Sequence, residues 1–257
     1  MNILAVGDVV GKEGCECLRR TLPALKKLKG IDFTVVNGEN SAPGNGITPD
    51  SAGALLDAGA DVITTGNHVF RRREVYDYLD DSRFVIRPAN YYGANPGVGA
   101  AVVDTGRARV AVLNLAGKAY MENGENPFIA VDKLLKEVAD CPIILLDFHA
   151  EATAEKKAMG FYLDGRVSAV FGTHTHVQTA DAAVLPKGTG YITDLGMTGP
   201  KYSVLGIKPE ISVQWLKTGM PTRFETADGP CMLNACVFEI DEKTGRTLGV
   251  ESICMEK

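Results

Sequence analysis

Five short apolar runs, residues 2–6, 33–36, 62–65, 143–146 and 169–171, are rich in Val and Ile, and each breaks off within a few residues into a polar cluster. Runs of this length, alternating with helix-like segments, are how an α/β fold with a parallel or mixed sheet reads in sequence. Thr48-Pro49 and Asn126-Pro127 each supply an N-cap followed by proline in the first turn, which predicts helices starting there. Residues 13–29 also read as helical, with Pro23 expected to break or kink the segment and Thr21 to cap a second piece. Two stretches depart from the alternation. GAAVVDTGRARVAVLNL predicts a hairpin turning near Thr105-Gly106, and ACVFEIDEKTGRTLGVESI another near Thr244-Gly245. Two facing mixed sheets flanked by helices accommodate these elements, as one large sheet also would. Without repeats or linkers, residues 1–257 read as one domain. The Gly- and Pro-rich stretch 197–230 reads as a long, partly irregular excursion of the kind that covers sites.

Composition closes off several classes of function. A formal charge of -5 and a pI near 5.5 give no general electrostatic reason to bind duplex nucleic acid. No apolar stretch approaches the roughly 20 residues that span a bilayer, so the expectation is a cytoplasmic protein without membrane contact. Six cysteines are scattered without a C-x-x-C pair, which predicts free thiols rather than a zinc knuckle or disulfide scaffold. The turn after the first strand, GDVVGKEG, lacks the G-x-G-x-x-G spacing of a dinucleotide-dependent oxidoreductase.

The chemistry lies in the polar clusters: Gly7-Asp8, Gly38-Glu39-Asn40, Gly66-Asn67-His68, Asp147-Phe148-His149 and Gly172-Thr173-His174-Thr175-His176. Ligands of open α/β sheets bind outside the carboxyl ends of the strands, so these clusters can converge on one crevice. All four histidines of the chain fall in them. Imidazole, carboxylate and amide oxygen together suit Mn, Fe or Zn. So many ligands exceed the needs of one ion, whereas two ions about 3.5–4 Å apart would use them and could clamp both oxygens of a phosphoryl transfer. Along an extended segment, residues two apart face the same side, which would direct His174 and His176 at one site.

The ordered set GD, GEN, GNH, FHAEAT and GTHTHVQTAD, with RPANYY and YITDLGMTGP, resembles the calcineurin-like metallophosphoesterases and specifically their YmdB-like bacterial branch, over essentially the whole chain. The resemblance implies a four-layered αββα sandwich and a phosphodiesterase acting on 2′,3′- or 3′,5′-cyclic nucleotides. It also implies a homo-oligomer and a dinuclear centre of two divalent ions, iron or manganese ahead of zinc. Asp8, Glu39, Asn40 and His176 would hold one ion; Glu39, Asn67, His149 and His174 would hold the other, with Glu39 bridging. A hydroxide shared by the ions would attack phosphorus, and His68 would protonate the leaving oxygen or stabilise the transition state. Asp147 and Thr173 or Thr175 are expected behind the ligand histidines. The chain has Val10 where the wider superfamily carries a histidine, and Val69, Phe70 and the run Arg71–Arg73 where branch members place an aromatic and an acid. Those arginines read either as a solvated helix start or as phosphate-facing groups. A nucleotide-binding regulatory module and a phosphomonoesterase or 5′-nucleotidase are the competing functions.

Overall fold

The computed structural model describes residues 1–121 and 124–256. In chain order its elements are β1 (Asn2–Val6), β2 (Asp8–Val9), α1 (Gly11–Lys29), β3 (Phe33–Asn37), α2 (Pro49–Asp57), β4 (Val62–Thr64), α3 (Tyr76–Asp81), β5 (Ala100–Asp104), β6 (Arg109–Ala116) and α4 (Pro127–Glu137). There follow β7 (Ile143–His149), α5 (Thr153–Leu163), β8 (Ala169–Thr173), β9 (Ala183–Val184), β10 (Gly190–Ile192), β11 (Met197–Pro200), α6 (Pro209–Thr218), β12 (Cys231–Ile240) and β13 (Thr247–Glu256).

Among the described residues two mixed sheets form. One runs β2-β11-β12-β1-β3-β4, with β13 also on β12; the other runs β5-β6-β7-β8-β10-β9. Strand alternation explains the layering. Ile3 and Ala5 of β1, Phe33 and Val35 of β3, and Ile143 and Leu145 of β7 join one core between the sheets. Leu4 and Val6 turn outward to Leu18, Leu22 and Leu25 of α1, while Ile144, Leu146 and Phe148 turn to the layer of α4 and α5. Strands buried on both faces appear as continuous apolar runs, so the single large sheet left open by the sequence is excluded and the four-layered arrangement is observed.

Both predicted caps are present: Thr48 accepts from Ser51 N–H in a capping box, and Asn126 accepts from Phe128 N–H. Both hairpins are present as β5–β6 and β12–β13. One expectation fails. Pro23 lies inside a continuous α1, and Thr21, instead of capping a second piece, is buried in its middle. The row Leu18, Leu22 and Leu25 packs on the first sheet, and that burial outweighs the hydrogen bond proline cannot make. The excursion is also more ordered than expected, since it contains β11 and α6.

Candidate metal centre

The carboxyl ends of strands from both sheets meet at one edge of the sandwich. Asp8 follows β1, Glu39 and Asn40 follow β3, and Asn67 and His68 follow β4; His149 ends β7, and His174 and His176 follow β8. The structure brings all eight side chains together. Glu39 Oε1 sits centrally, 3.2 Å from His149 Nε2, 3.3 Å from His68 Nδ1 and 3.0 Å from Asn40 Nδ2. On one side, His149 Nε2 lies 3.0 Å from both Asn67 Oδ1 and His174 Nδ1. On the other, His176 Nε2 lies 3.7 Å from Asp8 Oδ1 and 3.3 Å from Asn40 Nδ2.

Each of the three inner imidazoles is oriented from behind. His149 Nδ1–H donates to Thr173 Oγ1 at 2.8 Å, and that hydroxyl donates onward to Asp147 Oδ1 at 2.7 Å. His174 pairs through Nε2 with Glu151 at 2.9 Å, and His176 Nδ1–H donates to the Leu205 carbonyl at 3.2 Å. An imidazole whose outer nitrogen carries the proton turns a bare lone pair inward. Asp147 and Thr173 therefore stand where expected, whereas Thr175 bonds Asp194 and no histidine. Glu151 and the Leu205 carbonyl went unrecognised in the sequence. For Glu151 a signal existed, an acid two residues beyond His149; for a backbone carbonyl 29 residues from its partner there is none.

Burial and crowding set the charges. Burial pushes the Asp8 carboxyl up, with His176 and His149 pulling the other way. Burial would raise Glu39 too, but the charges and hydrogen bonds of His149 and His68 hold it well below the usual carboxylate range. Burial opposes charge on His149, yet Glu39, Asp8 and Asp147 lift it to about 9, and burial with the neighbouring His149 depresses His174 to about 3.

The backbone departs from the extended geometry expected of G-T-H-T-H. β8 ends at Thr173, and His174 (φ 99°) and His176 (φ 64°) are left-handed, each costing about 1–3 kcal/mol for a residue with a side chain. Asp8 Oδ2 accepts from His174 N–H at 3.1 Å, while Asp194 Oδ2 accepts from the Thr175 N–H at 3.1 Å and its hydroxyl at 2.7 Å. Lys156 Nζ, 2.6 Å from the same oxygen, completes a buried ion pair behind the segment.

In front lies a cavity of about 470 Å³, with Glu39, Asn40, His68, His174 and His176 on its polar side and Leu205, Ile207, Trp215 and Phe224 on its apolar side. Trp215 and Phe224 pack edge to face at 5.7 Å. The excursion thus walls the centre. Arg71 and Arg73 lie in short 3₁₀ turns rather than at a helix start.

The YmdB-like protein family profile matches residues 4–253. The chain is 45% identical to a 2′,3′-cyclic-nucleotide 2′-phosphodiesterase of Bacillus subtilis, over 98% of this chain and 96% of that protein. Among solved structures it resembles a hypothetical protein from Thermus thermophilus (TM-score 0.94, 38% identity, all of both chains). It equally resembles a novel phosphatase from Mycoplasma pneumoniae (TM-score 0.94, 34% identity, 100% of this chain and 93% of that one). With the profile spanning nearly its whole length and a relative this similar end to end, the chain belongs to the YmdB-like protein family.

Proposed function

We propose that the protein is a metal-dependent phosphodiesterase of cyclic nucleotides, with 2′,3′-cyclic nucleotides as the favoured class. The observation that carries the reading is the set of three imidazoles, each with its outer nitrogen held by an oxygen and its inner nitrogen turned into one cluster: His149 Nε2 towards Glu39 and Asn67, His174 Nδ1 towards His149, and His176 Nε2 towards Asp8 and Asn40. Asp8 Oδ1 adds to it, as a fully buried oxygen with no hydrogen-bond donor. Nitrogen and oxygen lone pairs packed 3.0–3.2 Å apart repel one another unless a proton or a cation lies between them, so the donor set fits divalent ions. One ion would be held by Asp8, Asn40, His176 and Glu39, and the other by Glu39, Asn67, His149 and His174. A half-turn of the Asn40 amide would offer Oδ1 to the first group and Nδ2 to His68. Bound there, divalent ions would acidify water for attack on phosphorus and neutralise charge building on the non-bridging oxygens.

The chain's own groups then divide the work. The polar side of the cavity takes the phosphate, and the Trp215–Phe224 wall takes the nucleobase, since an aromatic face stacks on any base. His68 Nδ1 lies 2.8 Å from the Asn40 side-chain amide, and with Nδ2 turned towards it the ring accepts there, which leaves Nε2 to hold the proton that the leaving ribose oxygen receives. His68→Ala should keep its fold and metal content and lose about 10²–10⁴-fold in turnover; unchanged turnover removes His68 from the mechanism.

The deciding experiment combines elemental analysis of protein purified without chelator with hydrolysis of bis-p-nitrophenyl phosphate and of 2′,3′- and 3′,5′-cyclic nucleotides. Diester turnover that chelator abolishes and added Mn restores is the expected result. Metal without turnover would favour a regulatory nucleotide-binding module, and hydrolysis of monoesters alone a 5′-nucleotidase. No metal under any condition overturns the proposal.

A further inference from the structure

The arginine run after the third cluster remains outside that account. A second cavity, of about 620 Å³, adjoins the first and shares Val10, Asn40, Asn45, Ile207 and Phe224 with it. Arg71, Arg72 and Arg223 line it, and the carboxylate that faces it, Glu225, is already paired with Lys208 at 2.9 Å. The wall is a built feature. Gly44, Asn45 and Gly46 are three consecutive left-handed residues (φ 74°, 70° and 87°), and Arg72 fastens this turn by donating to the carbonyls of Pro43 and Asn45. A Cβ at Gly46 would lie 3.0 Å from Arg72 Cγ and 3.1 Å from Arg71 Cβ, so the glycine lets the turn seat on the arginines. Arg72 is thereby occupied. Lys208, with Arg223 adding its charge, draws the Glu225 carboxyl down, but among the described residues neither Arg223 nor Arg71 has a carboxylate oxygen within 4.0 Å, in a chain whose net charge is -5.

We propose that this second cavity binds a further phosphate of the substrate, so that the cleft takes the end of an oligoribonucleotide terminating in a 2′,3′-cyclic phosphate. The inference rests on the phosphodiesterase reading above. Guanidinium groups match phosphate oxygens bidentately and hold them with charge-assisted hydrogen bonds. Phe224, common to both cavities, lies where a base between the two phosphates would pass. The reaction is that of a mononucleotide: water adds at phosphorus, the P–O2′ bond breaks, O2′ takes the proton, and a 3′-phosphate remains.

The test compares cytidine 2′,3′-cyclic phosphate with a dinucleotide ending in the same group. The dinucleotide should show a kcat/KM about tenfold or more higher, expressed in KM, with the advantage shrinking as salt rises from about 50 to 200 mM. In Arg71→Ala/Arg223→Ala, two exposed positions, the ratio should fall to near one, and calorimetry should show weakened binding of the dinucleotide 3′-phosphate product. A wild-type ratio near one, or a ratio and product affinity that the double variant leaves intact, overturns the inference while cyclic-nucleotide turnover still supports the enzyme. No turnover of either substrate by the metal-loaded wild type removes the phosphodiesterase reading and this inference with it.

Discussion

Gly66→Ala is expected to lose bound metal and at least about 100-fold in turnover, because one methyl group would occupy the middle of the centre. A Cβ at this position would lie 2.3 Å from Glu39 Oε2 and 2.3 Å from both Cδ2 and Nε2 of His149, far inside van der Waals contact. Glu39 and His149 are fully buried and cannot swing into solvent, so the strand end or the two side chains must shift. A shift of about 1 Å at reacting groups costs on the order of 10²-fold, and overpacking a tight site costs about 1–3 kcal/mol of stability. Metal content, steady-state kinetics and a thermal melt on the same preparation check the result. Wild-type metal content and turnover would show that the centre tolerates the methyl and is looser than described.

The second large effect is expected behind the site. Lys156→Met leaves Asp194 buried without its cation, and removing one partner of a buried pair costs about 3–5 kcal/mol. For a chain of this size that lowers the melting temperature by roughly 6–20 °C. Lys156→Met/Asp194→Asn should regain part of that loss, since the uncompensated charge is gone. Its turnover should nevertheless stay low, because Asp194 also holds Thr175 between two left-handed histidines. A single variant that melts like the wild type would mean that the pair holds nothing. A double variant as unstable as the single would mean that charge burial is not the cause.

The elements of the fold were legible because their signals are local, whereas their division between two sheets was carried only by the family resemblance. A Val- and Ile-rich run, a Thr-Pro cap and a Thr-Gly turn each lie within a few residues. The continuity of α1 was not, since Pro23 speaks for a break and only the leucine row packed against the first sheet overrules it. At the site, the ligand-type residues could be read from their clusters, but the backbone that presents them could not. Left-handed angles at His174 and His176 depend on Asp8, 166 residues from His174, and on Asp194, 19 residues from Thr175. Lys156 and Asp194 are 38 residues apart, and nothing in either neighbourhood marks them as a pair. The role of the excursion was visible only as a bias towards glycine and proline; that Trp215 and Phe224 form one wall of the cavity is a tertiary fact.

The order of strands in the first sheet bears on how the chain is made. β1 lies between β3 and β12, with Asn2 opposite Glu239 and Val6 opposite Ala235. During synthesis, residues 2–6 emerge early, yet the strand that closes their other edge is translated more than 220 residues later. At about 5–20 residues per second, that edge waits for ten seconds or more with its backbone groups unpaired, open to mispairing with other chains. Closure of the first sheet therefore waits on translation of β12, however early β1 and β3 are made.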